Sequence, residues 1–235
     1  ALAWHSLGNA KTRKFAYDEA QYAYEKALEI NPNYLNALNS LGVLFGKSGK
    51  ENQALKIFKR GLALDPEDSY ILTSYGSLLS ELGEIQKAKT ILTKAIENNP
   101  DLSEAYRSLS IIHKFEKTDK ILTFLQKKID SNSLNIHDKT HIGFALGKGM
   151  HDIGEYQQAF NAYEIANNAR RSILNFNIKK YSEKVKKIKE EYTKTKLKSL
   201  NRITKINKTP IFILGMPRSG TTLVEQIISA HSKVT

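Results

Sequence analysis

No cysteine occurs in the 235 residues. That removes a disulfide framework, a thiolate metal site and a cysteine nucleophile together. The absence fits a reducing compartment, and a cytoplasmic location is the expectation. No apolar run approaches the ~20 residues that span a bilayer, so no membrane-spanning helix is predicted. No basic-then-apolar leader precedes the first helical segment, which opens at Ala1 without a methionine, and the chain reads as a fragment of something longer. Acidic residues are outnumbered, 24 Asp and Glu against 36 Lys and Arg, giving a net charge of +12. With 40% hydrophobic residues, the chain can bury a core in one or two domains.

What the chain does have is a fixed period. Gly8, Gly42 and Gly76 stand 34 residues apart, and Ser110 holds the next equivalent place. Ala20, Ala54 and Ala88 share the spacing, as do Tyr24, Phe58 and Leu92, and Pro32, Pro66 and Pro100 close the three units. Trp4 and Leu7 take early core positions of the first unit. The pattern resembles the tetratricopeptide repeat, whose small residue at 8, alanine at 20, large apolar residue at 24 and proline at 32 are met here. The physics is helix-pair packing. Small side chains let two helices cross closely, the large one fills the space beside the crossing, and proline stops the second helix. Each pair leaves an apolar face for the next, so the units stack into a solenoid with a concave groove.

Three regular units are expected over 1–34, 35–68 and 69–102. A degenerate one follows over 103–139: it keeps Tyr106 and Leu109, but Leu122, Gln126 and Leu134 stand where alanine, an aromatic and proline belong. His113 to Lys117 replaces the inter-helix turn, so the second helix is expected to sit irregularly. A restored unit spans 140–174, with Leu146, Gly147, Gly154, Ala159, Tyr163 and Ala166 in place.

The positive charge is concentrated beyond the repeats. From Lys179 to Lys208 there are twelve Lys or Arg and three Glu, a net +9. Ile178, Tyr181, Val185, Ile188 and Tyr192 recur at spacings of three and four, one apolar stripe with lysines on the rest of the surface. The run is read as the solvated face of a packed helix over 175–200 that caps the solenoid, rather than as a contact for nucleic acid or a membrane. Residues 201–209 form a linker.

The most specific motif begins at Pro210. Ile211 to Leu214 has the composition of a buried parallel strand, Gly215 to Gly220 reads as a glycine-bounded loop, and Thr221 to Ala230 as a helix. Strand, loop and helix N-terminus aim N–H groups and a positive dipole end at one point, which suits a phosphate-like anion. Gly220 lets an anion approach the backbone closely. The spacing follows the first six positions of G-x-x-x-x-G-K-[ST], but Thr221 stands where lysine belongs, and the cation sits inside the loop as Arg218. An NTPase or nucleotide kinase needs that lysine on its β- and γ-phosphates, and its absence speaks against one.

Pro217-Arg218-Ser219-Gly220-Thr221-Thr222 resembles the 5′-phosphosulfate loop of sulfotransferases, P-[KR]-S-G-T-T. The longer segment from Gly215 to Val234 is similar to the form in bacterial sulfotransferases that carry N-terminal tetratricopeptide repeats. The resemblance implies a mainly α chain: a tetratricopeptide-type α-solenoid over 1–174, then the first strand, P-loop-like turn and helix of an α/β sulfotransferase domain over 210–235. It implies sulfuryl transfer from 3′-phosphoadenosine 5′-phosphosulfate (PAPS) to a hydroxyl or amine. Pro217, Arg218, Ser219, Gly220, Thr221 and Thr222 would hold the cosubstrate, and Arg218 would stabilise transition-state charge without a metal. In the family the general base and the 3′-phosphate site lie further along than Thr235, so the fragment alone is expected to be inactive. The competing reading is an interaction scaffold whose loop is incidental.

Other candidates carry less. His137-Asp138-Lys139-Thr140-His141 has the spacing of the H-E-x-x-H zinc helix, with His151 as a loosely placed third ligand. It reads as the polar start of a repeat helix, and no metal is expected. Glu225 and His231 read as solvated or sheet-facing side chains rather than as an acid or base. Asn9, Asn36, Asn39, Tyr70, Thr73, Ser77 and Arg107 are placed on the groove as a lining that could take a peptide or protein partner.

Overall fold

A computed structural model of the chain describes residues 1–131, 133–174, 177–193, 211–215 and 220–232. The chain divides into two units, 1–176 and 177–235. Among the described residues every regular element is an α-helix.

The first unit is built from helix pairs: α1 (Leu2–Arg13) with α2 (Tyr17–Ile30), α3 (Leu35–Lys47) with α4 (Glu51–Leu64), and α5 (Ser69–Glu81) with α6 (Ile85–Asn98). Each pair is fastened at one crossing. A Cβ on Gly8 would lie 2.4 Å from the Tyr24 ring, one on Gly42 2.5 Å from Phe58, and one on Gly76 2.6 Å from Leu92. The glycine of the first helix is therefore the seat for the large side chain of the second. Ala20, Ala54 and Ala88 are fully buried one turn before those side chains, where a longer residue would hold the helices apart. Trp4 packs against the first core as expected, but Leu7 is 42% exposed. Its equivalent Leu41 is buried because α2 lies against α3, whereas among the described residues no helix precedes α1.

The turns repeat as faithfully as the crossings. The N–H of Ala16, Lys50, Glu84 and Glu155 each donates to a carbonyl five residues back, on Lys11, Phe45, Leu79 and Met150. This is the 6→1 bond of a Schellman ending, which needs a left-handed residue just before the donor. Gly49, Gly83 and Gly154 supply it with φ of +67° to +85°. In the first unit the position is Phe15, at φ +60°. The second helices end in a further device. The side chains of Asn31, Asp65 and Asn99 accept from the N–H two residues on, at 3.1, 2.9 and 3.1 Å, folding the chain around the proline that follows each.

The fourth unit departs from the pattern for a reason written at Leu122. Leucine at the alanine position cannot lie inside a close crossing, and α7 (Ser103–Ile112) and α8 (Lys120–Asp130) do not run along each other. A stacked Tyr106–Phe124 pair, centroids 5.4 Å apart, bridges them. Both helices pack instead on α9 (Ile136–Asp152), where Leu122 meets Gly149 so closely that a Cβ there would stand 2.2 Å away. Phe115, from the replaced turn, is buried beside it. The turn is tethered by its own polar groups: Phe115 N–H donates to Asp152 at 3.0 Å, and Glu116 N–H to Asp119 at 2.9 Å. The pairing then resumes between α9 and α10 (Tyr156–Ile173), with Gly147 seating Tyr163.

In the second unit, α11 (Ile178–Glu191) starts at Asn177, whose side chain accepts from the N–H of Lys179 at 2.9 Å. The helix buries none of its residues. Its apolar stripe residues range from 37% exposed at Val185 to 65% at Tyr192. Ile211 to Leu214 carries no strand pairing, and Phe212 and Leu214 are exposed. The segment expected as a linker and residues 216–219 lie outside the described residues.

The left-handed position in the first turn gives a test. Phe15→Gly removes the cost of a side chain at positive φ, and stability should rise by about 0.5–1 kcal/mol in denaturant unfolding. A loss of stability would mean that the Phe15 ring, 6.3 Å from Tyr17, contributes more than its backbone costs.

Candidate functional site

The phosphate-type motif ends in α12 (Thr221–Ser229), whose N-cap is Gly220 at φ +85°, ψ +16°. Only glycine adopts that conformation without strain. Among the described residues, a Cβ built on Gly220 would meet nothing within 4 Å. The first helical bond runs from Val224 N–H to Gly220 O at 3.1 Å, and no side chain caps the helix. An α-helix leaves its first N–H groups without acceptors inside the helix. Here they belong to Thr221, Thr222 and Leu223, next to the positive end of the helix dipole. Thr222 is exposed and Thr221 partly so.

Of the six residues expected to hold the cosubstrate, the structure describes Gly220, Thr221 and Thr222 side by side. Pro217, Arg218 and Ser219 lie outside the described residues. Glu225 and His231 are both exposed, and the hydroxyl of Ser229 donates to the Glu225 carbonyl. What the described part can do is present hydrogen-bond donors and a positive dipole end to an anion. The sequence motif identified Gly220 by its missing Cβ; its positive φ is a second, independent requirement for glycine.

The groove candidates sort into lining and internal residues. Thr73 is buried and donates to Ser69 O at 2.7 Å, so it is withdrawn from the lining: its hydroxyl is spent on its own helix. Asn9 accepts from the Tyr24 hydroxyl at 2.8 Å, locking the side chain that Gly8 seats. Ser77 donates to Ser108 at 2.9 Å, one unit further on. Arg107 lies over the Phe144 ring, 5.2 Å from its centroid. Tyr70 and Asn36 are exposed. Asn39 has a buried side-chain oxygen without a hydrogen-bond partner.

Two polar clusters were not legible from spacing. His5 reaches Ser40 at 3.0 Å and the Tyr34 hydroxyl at 3.3 Å, tying the first helix pair to the next. Ser103, buried at the start of α7, donates to Asp138 and lies 3.3 Å from His141 Nδ1. The His-x-x-x-His spacing put Asp138 and His141 near one another, but nothing marked Ser103, 35 residues earlier, as their partner. Tyr70, Glu104 and His137 line a cavity of about 330 Å³ beside them. The aspartate takes the serine hydroxyl rather than the histidine, so this is not a nucleophile relay. His151 packs edge-on against Tyr156, away from the other two histidines of the zinc-like spacing. Among the described residues no three His, Asp or Glu converge as a metal site would require.

Comparison with known proteins finds matches at both ends of the chain. The family model for the sulfotransferase family matches residues 210–235, and models for the tetratricopeptide repeat match residues 1–67 and 47–110. Residues 1–110 are tetratricopeptide repeats, and a sulfotransferase-family segment follows from residue 210. An uncharacterized protein of Aquifex aeolicus (strain VF5) is 31% identical over 120 residues, a match that spans 51% of this chain and 16% of that relative. A thermophilic tetratricopeptide protein of Thermus thermophilus is similar at 21% identity and a TM-score of 0.55, over 77% of this chain and 97% of that one. A structure from the functional characterization of Pseudomonas aeruginosa pilF has the same identity and TM-score, over 71% and 75%. At that identity the structural likeness concerns the fold alone.

His5 and His141 set a pH dependence. Burial holds His5 and His141 below the usual 6.5, so the unfolded chain binds protons more readily and stability falls as pH drops through 6.5. Asp119, held below 3.8 by the Glu116 N–H, contributes stability that is lost only in stronger acid. The thermal midpoint should fall between about pH 7.5 and about pH 5.5, and the fall should shrink in a His5→Gln, His141→Gln variant. An undiminished fall would assign the effect to other groups.

Proposed function

We propose that the chain is the N-terminal part of a PAPS-dependent sulfotransferase, with the loop from Pro217 to Thr222 as its 5′-phosphosulfate site. The observation that carries the reading is a glycine held at positive φ at the head of a helix, inside a segment matched by the sulfotransferase family. The fit is chemical as well as formal. N–H groups of the first turn, with the hydroxyls of Ser219, Thr221 and Thr222, would hold the 5′-phosphate. PAPS supplies the activated sulfuryl group, and the acceptor is a hydroxyl or amine.

Arg218 has a different task from its neighbours. Charge builds on the bridging oxygen as the sulfur–oxygen bond breaks, and a guanidinium there favours the transition state over the ground state. Thr221 in place of the P-loop lysine leaves the site without a cation aimed at a γ-phosphate. The repeats would bring the acceptor or a protein partner to the site through their polar groove.

A scaffold reading, in which the repeats bind a partner and no transfer occurs, has its own support: the repeats make up most of the chain and match over 1–110, against 26 residues for the loop. The two readings part in a full-length protein. Arg218→Ala should lower sulfuryl-transfer turnover by about 10²–10³ while changing cosubstrate affinity far less. Gly220→Val should abolish binding, since valine fits neither the positive φ nor the space the phosphate needs. Binding should not require Mg²⁺. Normal turnover in Arg218→Ala, or equal binding of ATP with Mg²⁺, defeats the assignment, and no transfer by the unmodified protein leaves the scaffold.

A further inference from the structure

Phe15 stands in a conformation that its own turn does not need. A bulky side chain at positive φ is an outlier, and the equivalent turns that close the same hydrogen bond use Gly49, Gly83 and Gly154. The ring packs little on its own chain: it is 79% exposed and meets Tyr17 edge-on, centroids 6.3 Å apart. A lone exposed apolar side chain is ordinary. One held at a strained position points to a task beyond folding. Its flanks are charged in order, with Arg13 and Lys14 before it and Asp18 and Glu19 after it, all exposed.

The same repeats carry a hole of matching character. A cavity of about 590 Å³ opens between α2, α3 and α4, with Leu28, Leu41, Phe45 and Ile57 in its lining. Glu25 and Glu29 stand on the α2 wall and Lys56 and Arg60 on the α4 wall, all four exposed. We propose that Phe15 seats in this cavity on a second copy of the chain. The ring would meet aliphatic and aromatic side chains there. One orientation sets Arg13 and Lys14 against Glu25 and Glu29, and turns Asp18 and Glu19 toward Lys56 and Arg60, so both halves of the charge order are answered together. Glu19 and Glu29 are bonded to Lys11 and Lys26 within the chain, but these are exposed pairs that exchange partners at little cost. Nucleic acid would meet the basic pair and be repelled by Asp18 and Glu19. A lipid surface would take the ring and the cations and leave the cavity without an occupant. One ring with its flanking charges is a small contact, so the association is weak and shows only at high concentration. Ring and cavity both lie within residues 13–60, and the contact holds under either reading of the loop at 217–222.

The test is sedimentation velocity of the 235-residue chain from about 10 to about 500 µM, where the mean mass should rise toward that of a dimer or beyond, and rise less in high salt. Phe15→Gly should weaken the association by about tenfold or more, and because that change relieves the backbone, the loss cannot be laid to unfolding. Phe15→Asn, which keeps a residue tolerant of positive φ, should act alike. Glu25→Lys, Glu29→Lys, at exposed sites, should lose association as well. Mixed one to one, the Phe15→Gly chain supplies an intact cavity and the lysine variant an intact ring, so the two should pair again. Three results overturn the proposal: a chain that stays monomeric throughout, full association by Phe15→Gly, or no pairing between the mixed variants. Sedimentation of a monomeric chain with phosphatidylserine vesicles, lost in Phe15→Gly, would overturn it too and give the ring to a membrane.

Discussion

The repeat array depends on one contact made again and again: a large side chain of the second helix lying on the bare backbone of the first. Tyr24, Phe58, Leu92 and Tyr163 occupy the place where Gly8, Gly42, Gly76 and Gly147 would have carried a Cβ. Each contact fixes the rotation and the distance of two helices together. The fully buried alanines at 20, 54 and 88 extend the close approach by one turn. Everything stacked on the pair inherits that geometry, including the polar ties between units from His5 to Ser40 and from Ser77 to Ser108.

The fourth unit shows what happens when the contact is withdrawn. Leu122 replaces the alanine, the two helices separate, and α9 becomes the common support. Its glycines face two ways to do this: Gly143 and Gly147 admit Ala166 and Tyr163 of α10, and Gly149 admits Leu122 of α8. The array therefore continues past a broken pair because the next helix carries more bare backbone than a regular unit needs. The side chain of Asp152, also on α9, holds the replaced turn through Phe115 N–H, so one helix stabilises the break from both its apolar and its polar residues.

Much of this was legible in the residues because a 34-residue period repeats each clue. The seats, the crossing alanines and the closing prolines all recur in register, and the Leu122 substitution announced an irregular helix. Two features escaped for physical reasons. The Asn31, Asp65 and Asn99 side chains end the second helices together with proline, a bond invisible without the backbone. Thr73 has a groove-like polar identity yet faces inward, because a threonine can satisfy its hydroxyl on its own helix. At α11 the periodicity gives amphipathicity, not the identity of the covering surface. At the phosphosulfate loop, the motif singled out Gly220 and the structure gives it a left-handed N-cap. Arg218, the residue with the sharpest chemical role, rests on the motif alone.

Because the seat is a pairwise contact, a double-mutant cycle at Gly42 and Phe58 tests it most directly. Gly42→Ala pushes a methyl into the Phe58 ring, and Phe58→Val withdraws that ring from the space. In denaturant unfolding, the glycine substitution should be costly in the original protein and nearly free beside valine, a coupling of at least about 1 kcal/mol. Strict additivity of the two changes would contradict it, and would mean that the glycines recur for a reason other than the side chains lying on them.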